Sequence, residues 1–338
     1  NSTAPASSRE PRRCSVTEGV STGVSAHDSM TCGAASGAVT VMTEPGRSSV
    51  ARDTAMVGAW AGPPTTSECM PSSGVSRVSE LLATLKKLLW NYSEGQTGRG
   101  RANAGILKST GCSSVWGSTY PYNPYPFPWA NHLFQDAASM AMGVFEGHMA
   151  KMADGFRIIR QAEAVLNGRY DPAGDGERFR YFDWRDFTDE EFHLCPPVVA
   201  IGGDGAMYDI GFQNLSRAMM SGKPIKVVVV DTQVYSNTGG QACTSGFFGQ
   251  ISDMAQFGDA IKGKEEARKE IGLIAMAHRT TYFMQSTIAN ANHMIEGFVQ
   301  GLMSRRPALF NLYTSCQPEH GIGDDMGHHQ AKLAVESR

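Results

Sequence analysis

From about Ser76 to the C-terminus the sequence predicts an α/β fold, a doubly wound and mostly parallel sheet, on three observations. Short apolar runs alternate with segments of helical period, two of those runs lead into oxygen-bearing side chains, and a glycine-rich turn follows the first of them. Residues 197–201, 225–231, 281–284 and 308–313 read as strands, with helices over 212–220, 264–278 and 291–304. The continuous Val227–Val230 run fits a strand covered on both faces. In such sheets ligands bind at the carboxyl ends of the strands.

Upstream, Val78, Leu81, Leu82, Leu85, Leu88 and Leu89 fall at helical spacing with Lys86 and Lys87 opposite, so an amphipathic helix opens the ordered region. A Gly- and Arg-rich loop (95–105) and an aromatic, proline-rich loop (120–129) follow. A long helix then runs from near Asp136, a fitting N-cap, to Leu166. Residues 167–193 read as a polar, aromatic surface excursion. Residues 1–74 differ in texture: Ser, Thr, Gly, Ala and Pro dominate without a sustained period. Two parts are therefore expected, a low-complexity segment over 1–74, disordered or foreign to the domain and without assigned function, and one domain over 75–338.

The chain has 338 residues, 41% of them apolar, and a formal net charge of −3. That balance offers no basic face for a phosphate backbone and argues against nucleic acid as a partner. No stretch has the apolar length of a membrane span, and residues 1–13 lack a secretory core, so a cytoplasmic address away from membranes is expected. Seven cysteines, an odd number without a C-x-x-C pair, make a disulfide framework a poor fit. Cys195 and Cys243 read as ordinary small buried thiols.

The chemistry concentrates at two strand ends. Gly202-Gly203-Asp204-Gly205 turns one strand into a helix, where Gly203 and Gly205 let the backbone approach a phosphate and the helix start offers free N–H groups. Asp204 in that turn is a hard oxygen donor suited to Mg²⁺. About one strand–helix–strand unit later, the next strand ends in Asp231-Thr232, so Thr232 and a nearby carbonyl could face Asp204. The polar loop Val234-Tyr235-Ser236-Asn237-Thr238-Gly239-Gly240-Gln241 then suits a position over a diphosphate. Taken alone, Gly-Asp-Gly is only a turn; its spacing to the second motif is what carries the reading.

Together these motifs resemble the thiamine-diphosphate motif in the form used by pyruvate:ferredoxin (flavodoxin) oxidoreductases. Gly111-Cys112-Ser113-Ser114-Val115-Trp116-Gly117, the Pro128-Trp129-Ala130-Asn131 segment with Leu133-Phe134-Gln135-Asp136, and Tyr208-Asp209-Ile210-Gly211 extend the resemblance over about residues 99–321. It implies the thiamine-diphosphate-binding C-terminal catalytic domain of a larger enzyme that is a dimer when complete. Asp204, Thr232 and the Val234 carbonyl would ligate Mg²⁺, and Gly203 and Gly205 would make room for the diphosphate. Asn237 would lie beside the thiazolium and the substrate, and Ser113 and Ser114 in the loop facing cofactor and cluster. Cys112 and Cys316 match cysteines that ligate a [4Fe–4S] cluster, the second within a looser local match. The family supplies two further thiolates from an upstream C-x-x-C that this chain lacks.

The implied reaction is oxidative decarboxylation of a 2-oxoacid, pyruvate by default, to acyl-CoA and CO₂, with coenzyme A as co-substrate and electrons leaving through iron–sulfur clusters to ferredoxin or flavodoxin. The glutamate that acts on the cofactor comes from a different domain in this family, so none here is assigned that role. Two alternatives stay open: a non-oxidative thiamine-dependent 2-oxoacid decarboxylase, and a truncated cofactor-binding remnant without turnover. His328 and His329 beside Asp324 and Asp325 read as a solvated loop rather than a metal site, and Met140, Met142, Met149 and Met152 as core packing.

Overall fold

Apolar runs in this chain pair into a twisted sheet because each can bury both faces. In the computed structural model, which describes residues 41–42, 72–119, 121–255 and 263–337, the strands are β1 (Val41–Met42), β2 (Gly105–Ser109), β3 (Trp129–His132), β4 (Val198–Gly203), β5 (Lys226–Asp231), β6 (Val234–Tyr235), β7 (Gln241–Ala242), β8 (Tyr282–Thr287) and β9 (Ala308–Tyr313). The main sheet runs β1-β3-β2-β4-β5-β9-β8, parallel throughout except for β1 at its edge, while β6 and β7 form a small antiparallel ribbon. Apart from those two strand residues and the start of the first helix, the expectation for residues 1–74 lies outside the described residues. Among the described residues no helix is long and apolar enough to cross a membrane.

Alternation along the strands divides the core into two layers. Val227, Val229 and Leu309 join a cluster with α3 (Ala137–Leu166) and α6 (Phe212–Met220), through residues such as Phe145, Met149 and Leu215. Val228, Ala308 and Phe310 point to the other face, against Met294 and Phe298 of α8 (Ala291–Met303). This two-sided cover makes the fold doubly wound. Asp136 caps α3, accepting from Ser139 N at 3.0 Å, and its other oxygen accepts from Asn214 Nδ2 at 2.6 Å, which fastens α3 to α6. The amphipathic helix α1 (Ser72–Ser93) packs on α3, where Tyr92 OH meets Met152 Sδ at 3.2 Å.

The chain leaves β2 toward β3 on one side and leaves β4 toward β5 on the other. The reversal of winding lies between β2 and β4, and a crevice opens at such a point beyond the carboxyl ends of the strands.

Four regions differ from the sequence reading. Strands β2 and β3 begin at the last residues of the two expected loops and run on through residues given no element, because β2 carries a lysine and β3 is short and polar. The Lys108 side chain is nevertheless buried, donating to the carbonyls of Ser113 (2.7 Å) and Ser118 and lying 5.1 Å from the Trp129 ring centre. The helix expected over 264–278 shrinks to α7 (Ile271–Ala277), since Lys264 and Lys269 pair their backbones with Gln250 and Thr244 instead. Within 167–193 the structure adds α4 (Pro172–Arg178) and α5 (Asp189–His193). Trp184, Phe187 and Phe192 enter the main core, Trp184 packing edge-on to Phe145 at 5.6 Å. The excursion is a covering layer, held by Arg305 donating to the Trp184 and Phe187 carbonyls. Replacing Trp184 by Ala is therefore expected to cost about 3–5 kcal/mol of unfolding free energy in urea denaturation. A loss below about 1 kcal/mol would return the segment to the surface.

Candidate functional site

Four loops meet at the carboxyl edge of the sheet: residues 110–113 after β2, 203–206 after β4, 232–238 after β5 and 314–317 after β9. They enclose a cavity of about 640 Å³, of the size that holds a cofactor.

Asp204 stands at its floor, 4% exposed, where β4 ends. Its Oδ1 accepts from Gly205 N at 2.8 Å, and Oδ2 lies 2.9 Å from Thr232 Oγ1 and 3.1 Å from Val234 N. Thr232 Oγ1 is also 2.9 Å from the Val234 carbonyl and accepts from Ser236 Oγ at 2.9 Å. A carboxylate just after β4, a hydroxyl just after β5 and a carbonyl at the start of β6 thus converge on one point, a hard donor set that could hold Mg²⁺. Burial, and next the charge of Asp231, push Asp204 up to about 7, against the pull of its hydrogen bonds. Among the described residues Asp231 pairs with Arg268 at 3.0 Å and Asp209 with Lys269 at 3.5 Å, whereas Asp204 has no such partner. A buried carboxylate without a counter-ion, beside two further oxygens, fits a cation. No group of three or more His, Cys, Asp or Glu side chains could hold a metal among the described residues.

After Asp204 the chain makes a π-helical turn, Gly205–Ile210. A Cβ on Gly205 would sit 2.5 Å from Tyr235 Cε1, so only glycine lets this ring close over the turn. A Cβ on Gly203 would meet only Val230 O, at 3.8 Å, and the space it would take belongs to the cavity lining. The Tyr235 hydroxyl donates to Asp209 Oδ2 at 2.5 Å, and Thr244 and Cys243 donate to the same carboxylate. Burial raises the Asp209 carboxyl, but these donors outweigh it and hold it below the usual range. Asn237, in the short turn Ser236–Thr238, is exposed and lines the cavity. Gly239 and Gly240 follow at φ +104° and +92°, a left-handed pair that turns the chain into β7.

Cys112 and Cys316, far apart in sequence, line the same cavity. Burial raises the Cys112 thiol, and the nearness of Cys316, Asp204 and Glu319 adds to it. Ser113 also lines the cavity, with its Oγ donating to Ser109 O at 2.9 Å. Ser114 is not among the residues that line it, its Oγ accepting from Gly111 N at 3.4 Å. A cubane cluster takes four thiolates, and among the described residues only two line this cavity. Cys243 and Cys195 are engaged elsewhere, Cys195 with Glu191 O and pushed up to about 12 by burial. His328 and His329 stand exposed in the first turn of a helix.

Sequence reasoning assigned no role to Lys108, Asp209 or His320. Asp209 lay within the quoted Tyr208-Asp209-Ile210-Gly211, but the partners of its carboxylate depend on the π turn. Lys108 gave no signal, since a lysine reads as solvated. His320 lay within the loosely matching stretch around Cys316, residues 313–321, and carried no assigned role.

Residues 193–312 match the model of the thiamine pyrophosphate enzyme C-terminal TPP-binding domain. The cavity's β4 and β5 loops fall inside that match. Over a longer stretch the chain is similar to the pyruvate-flavodoxin oxidoreductase of Enterobacter agglomerans, at 30% identity over 279 residues, 69% of this chain and 23% of the relative. The pyruvate:ferredoxin oxidoreductase of Moorella thermoacetica is 30% identical over 273 residues, again 69% of this chain and 23% of the relative. A pyruvate dehydrogenase [NADP(+)] of Cryptosporidium parvum is 28% identical over 308 residues, 69% of this chain and 15% of the relative. The resemblance read from the motifs is thus found in the sequence similarity over that stretch. The chain spans less than a quarter of the length of these curated relatives. A solved 2-oxoglutarate:ferredoxin oxidoreductase from Magnetococcus marinus, with 2-oxoglutarate, coenzyme A and succinyl-CoA bound, aligns at a TM-score of 0.41 and 15% identity, covering 68% of this chain and 59% of that chain.

The state of Asp204 yields a test. Its folded pKa of about 7 lies above the ordinary 3.8, so its contribution to stability is present below about pH 4 and is lost as pH rises through 7. Without metal, the unfolding free energy of the wild type relative to Asp204→Asn is expected to fall between pH 4 and 8, by on the order of a few kcal/mol. A difference that does not vary with pH would mean that Asp204 titrates as a solvated carboxyl.

Proposed function

We propose that residues 75–338 are the thiamine-diphosphate- and Mg²⁺-binding part of a larger enzyme that oxidatively decarboxylates a 2-oxoacid. The observation that carries this reading is the unpaired, buried Asp204 carboxylate, facing Thr232 Oγ1 and the Val234 carbonyl beside a cofactor-sized cavity. In this reading those three oxygens hold Mg²⁺, and the diphosphate lies against Gly203, Gly205 and the N–H groups that open the π turn. When bound, thiamine diphosphate supplies the carbon nucleophile and the electron sink for loss of CO₂. Asn237 orients the substrate beside the thiazolium, and Ser113 faces the cofactor from the β2 loop. Trp116 and Ile210, both exposed, add apolar surface to the cavity lining. Ser114, directed at Gly111, shapes the loop rather than touching the ligand.

Pyruvate as substrate is supported by the names of the relatives. Their named acceptors, flavodoxin, ferredoxin and NADP⁺, differ, so electron delivery belongs to the parts of the enzyme that vary among them. Acyl-CoA as product, with coenzyme A as co-substrate, belongs to the same reading. Cys112 and Cys316 would be two ligands of a [4Fe–4S] cluster, and the described residues do not complete such a site.

Calorimetry tests the cofactor reading. The chain is expected to bind thiamine diphosphate only with Mg²⁺. The cation must displace the Asp204 proton, so affinity rises from pH 6 to 8 with proton release on the acid side. Asp204→Ala should weaken binding by upwards of roughly 100-fold, the top of the range that even outer partners of metal sites cost. A folded wild type that ignores the cofactor in Mg²⁺ would overturn the reading. In the complete enzyme, pyruvate-dependent viologen reduction separates oxidative from non-oxidative decarboxylation.

A further inference from the structure

The short helix α9 (Gln317–His320) lies beyond the residues that match the TPP-binding domain, and no motif assigned it a role. Its last residue touches two parts of the site at once. His320 Nδ1 is 3.2 Å from Cys316 N, and Nε2 is 3.0 Å from the Thr232 carbonyl, 88 positions away in sequence. A backbone N–H only donates and a carbonyl only accepts, so the imidazole carries its proton on Nε2 and accepts at Nδ1. One neutral tautomer satisfies both contacts. The preceding residue presses on the far end of the same loop: a Cβ on Gly240 would lie 2.3 Å from Glu319 Oε2. Consecutive residues of α9 therefore hold the start and the end of residues 232–240, the stretch that carries Asn237.

We propose that His320 is a positioning residue of this site, clasping the Cys316 main chain to the Thr232 carbonyl so that the cysteine loop and the metal-facing oxygens share one register. With its carbonyl drawn to His320, the Thr232 peptide is fixed, and its hydroxyl is left facing Asp204 Oδ2 and Val234 O. The ligand in this inference rests on the proposed function, but the clasp can be read without it.

The test uses the full chain carrying His320→Ala, His320→Asn or His320→Gln. The asparagine amide oxygen can take the Nδ1 place and accept from Cys316 N; the longer glutamine amide nitrogen can take the Nε2 place and donate to Thr232 O. Two readouts are followed: iodoacetamide alkylation of Cys316, with Cys112 and Cys195 as references on the same mass spectrum, and calorimetric affinity for thiamine diphosphate in saturating Mg²⁺. The alanine variant is expected to raise Cys316 alkylation and to weaken cofactor binding, each by about five- to tenfold, the equivalent of one backbone hydrogen bond. Asparagine should restore only the protection of Cys316, and glutamine only the affinity. The inference is overturned if alanine leaves both readouts unchanged, or if the two half-replacements move both in parallel, as a general loosening would. A wild type that does not bind the cofactor removes the proposed function, and the alkylation pattern across the three variants then decides the clasp alone.

Discussion

The Asp204 carboxylate ties together what the rest of the site depends on. It takes hydrogen bonds from Gly205 N, Val234 N and Thr232 Oγ1, so one buried group joins the end of β4 to the loop after β5. Such a charge is costly without compensation, and here the compensation in the protein alone is incomplete, as its raised pKa reports. The two carboxylates near it are balanced differently. Asp231 is wholly buried against Arg268, Tyr208 and Gln233 N, and Asp209 gathers Tyr235, Thr244 and Cys243 with Lys269 nearby. Burial raises the Asp231 carboxyl as well, against the pull of Arg268, so what sets Asp204 apart is that, among the described residues, no cationic side chain pairs with it. That asymmetry separates a structural network from a binding group.

Topology explains why this happens where it does. Parallel strands deliver all their carboxyl ends to one edge, and the reversal between β2 and β4 keeps the loop carrying Cys112 from closing over the loop carrying Asp204. The buried Lys108 holds the β2 loop by two carbonyls, one of them that of Ser113, and burial lowers its pKa to about 8. A side chain placed below the loop thus sets the position of the groups above it.

The legible parts of the sequence were those whose signal is local. The runs over β5 and β9, the helices α3 and α6 and the Asp136 cap stand out because apolar period and cap chemistry are written in adjacent residues. Strand β2 was illegible, since its lysine is buried only because carbonyls far from the strand pattern receive it. The region before α7 lost its helix to backbone partners at Thr244 and Gln250 that no local propensity encodes. In the site, Gly203, Asp204, Thr232 and Asn237 could be singled out because glycine turns and oxygen donors at strand ends have a chemistry of their own. Asp209 and His320 acquire roles only through partners brought by folding, the first across a π turn and the second across a whole sheet edge.

The two kinds of donor at the cavity also differ in how completely this chain supplies them. The oxygen set comes from the turn after β4 and the segment that leads from β5 into β6, one short stretch of chain, and Thr232 Oγ1 already lies within hydrogen-bond distance of the other two oxygens. The sulfur set is drawn from the β2 loop and the segment after β9, and among the described residues it stops at two. A hard cation needs few protein ligands because water and ligand phosphates complete its shell. A cubane cluster takes its ligands from thiolates and therefore depends on how many the protein can bring. The same edge can thus be sufficient for a diphosphate-bound cation and insufficient for a cluster. Under the proposed function, recognition of the cofactor would be a property of this sheet, whereas a cluster would need thiols from outside the described residues.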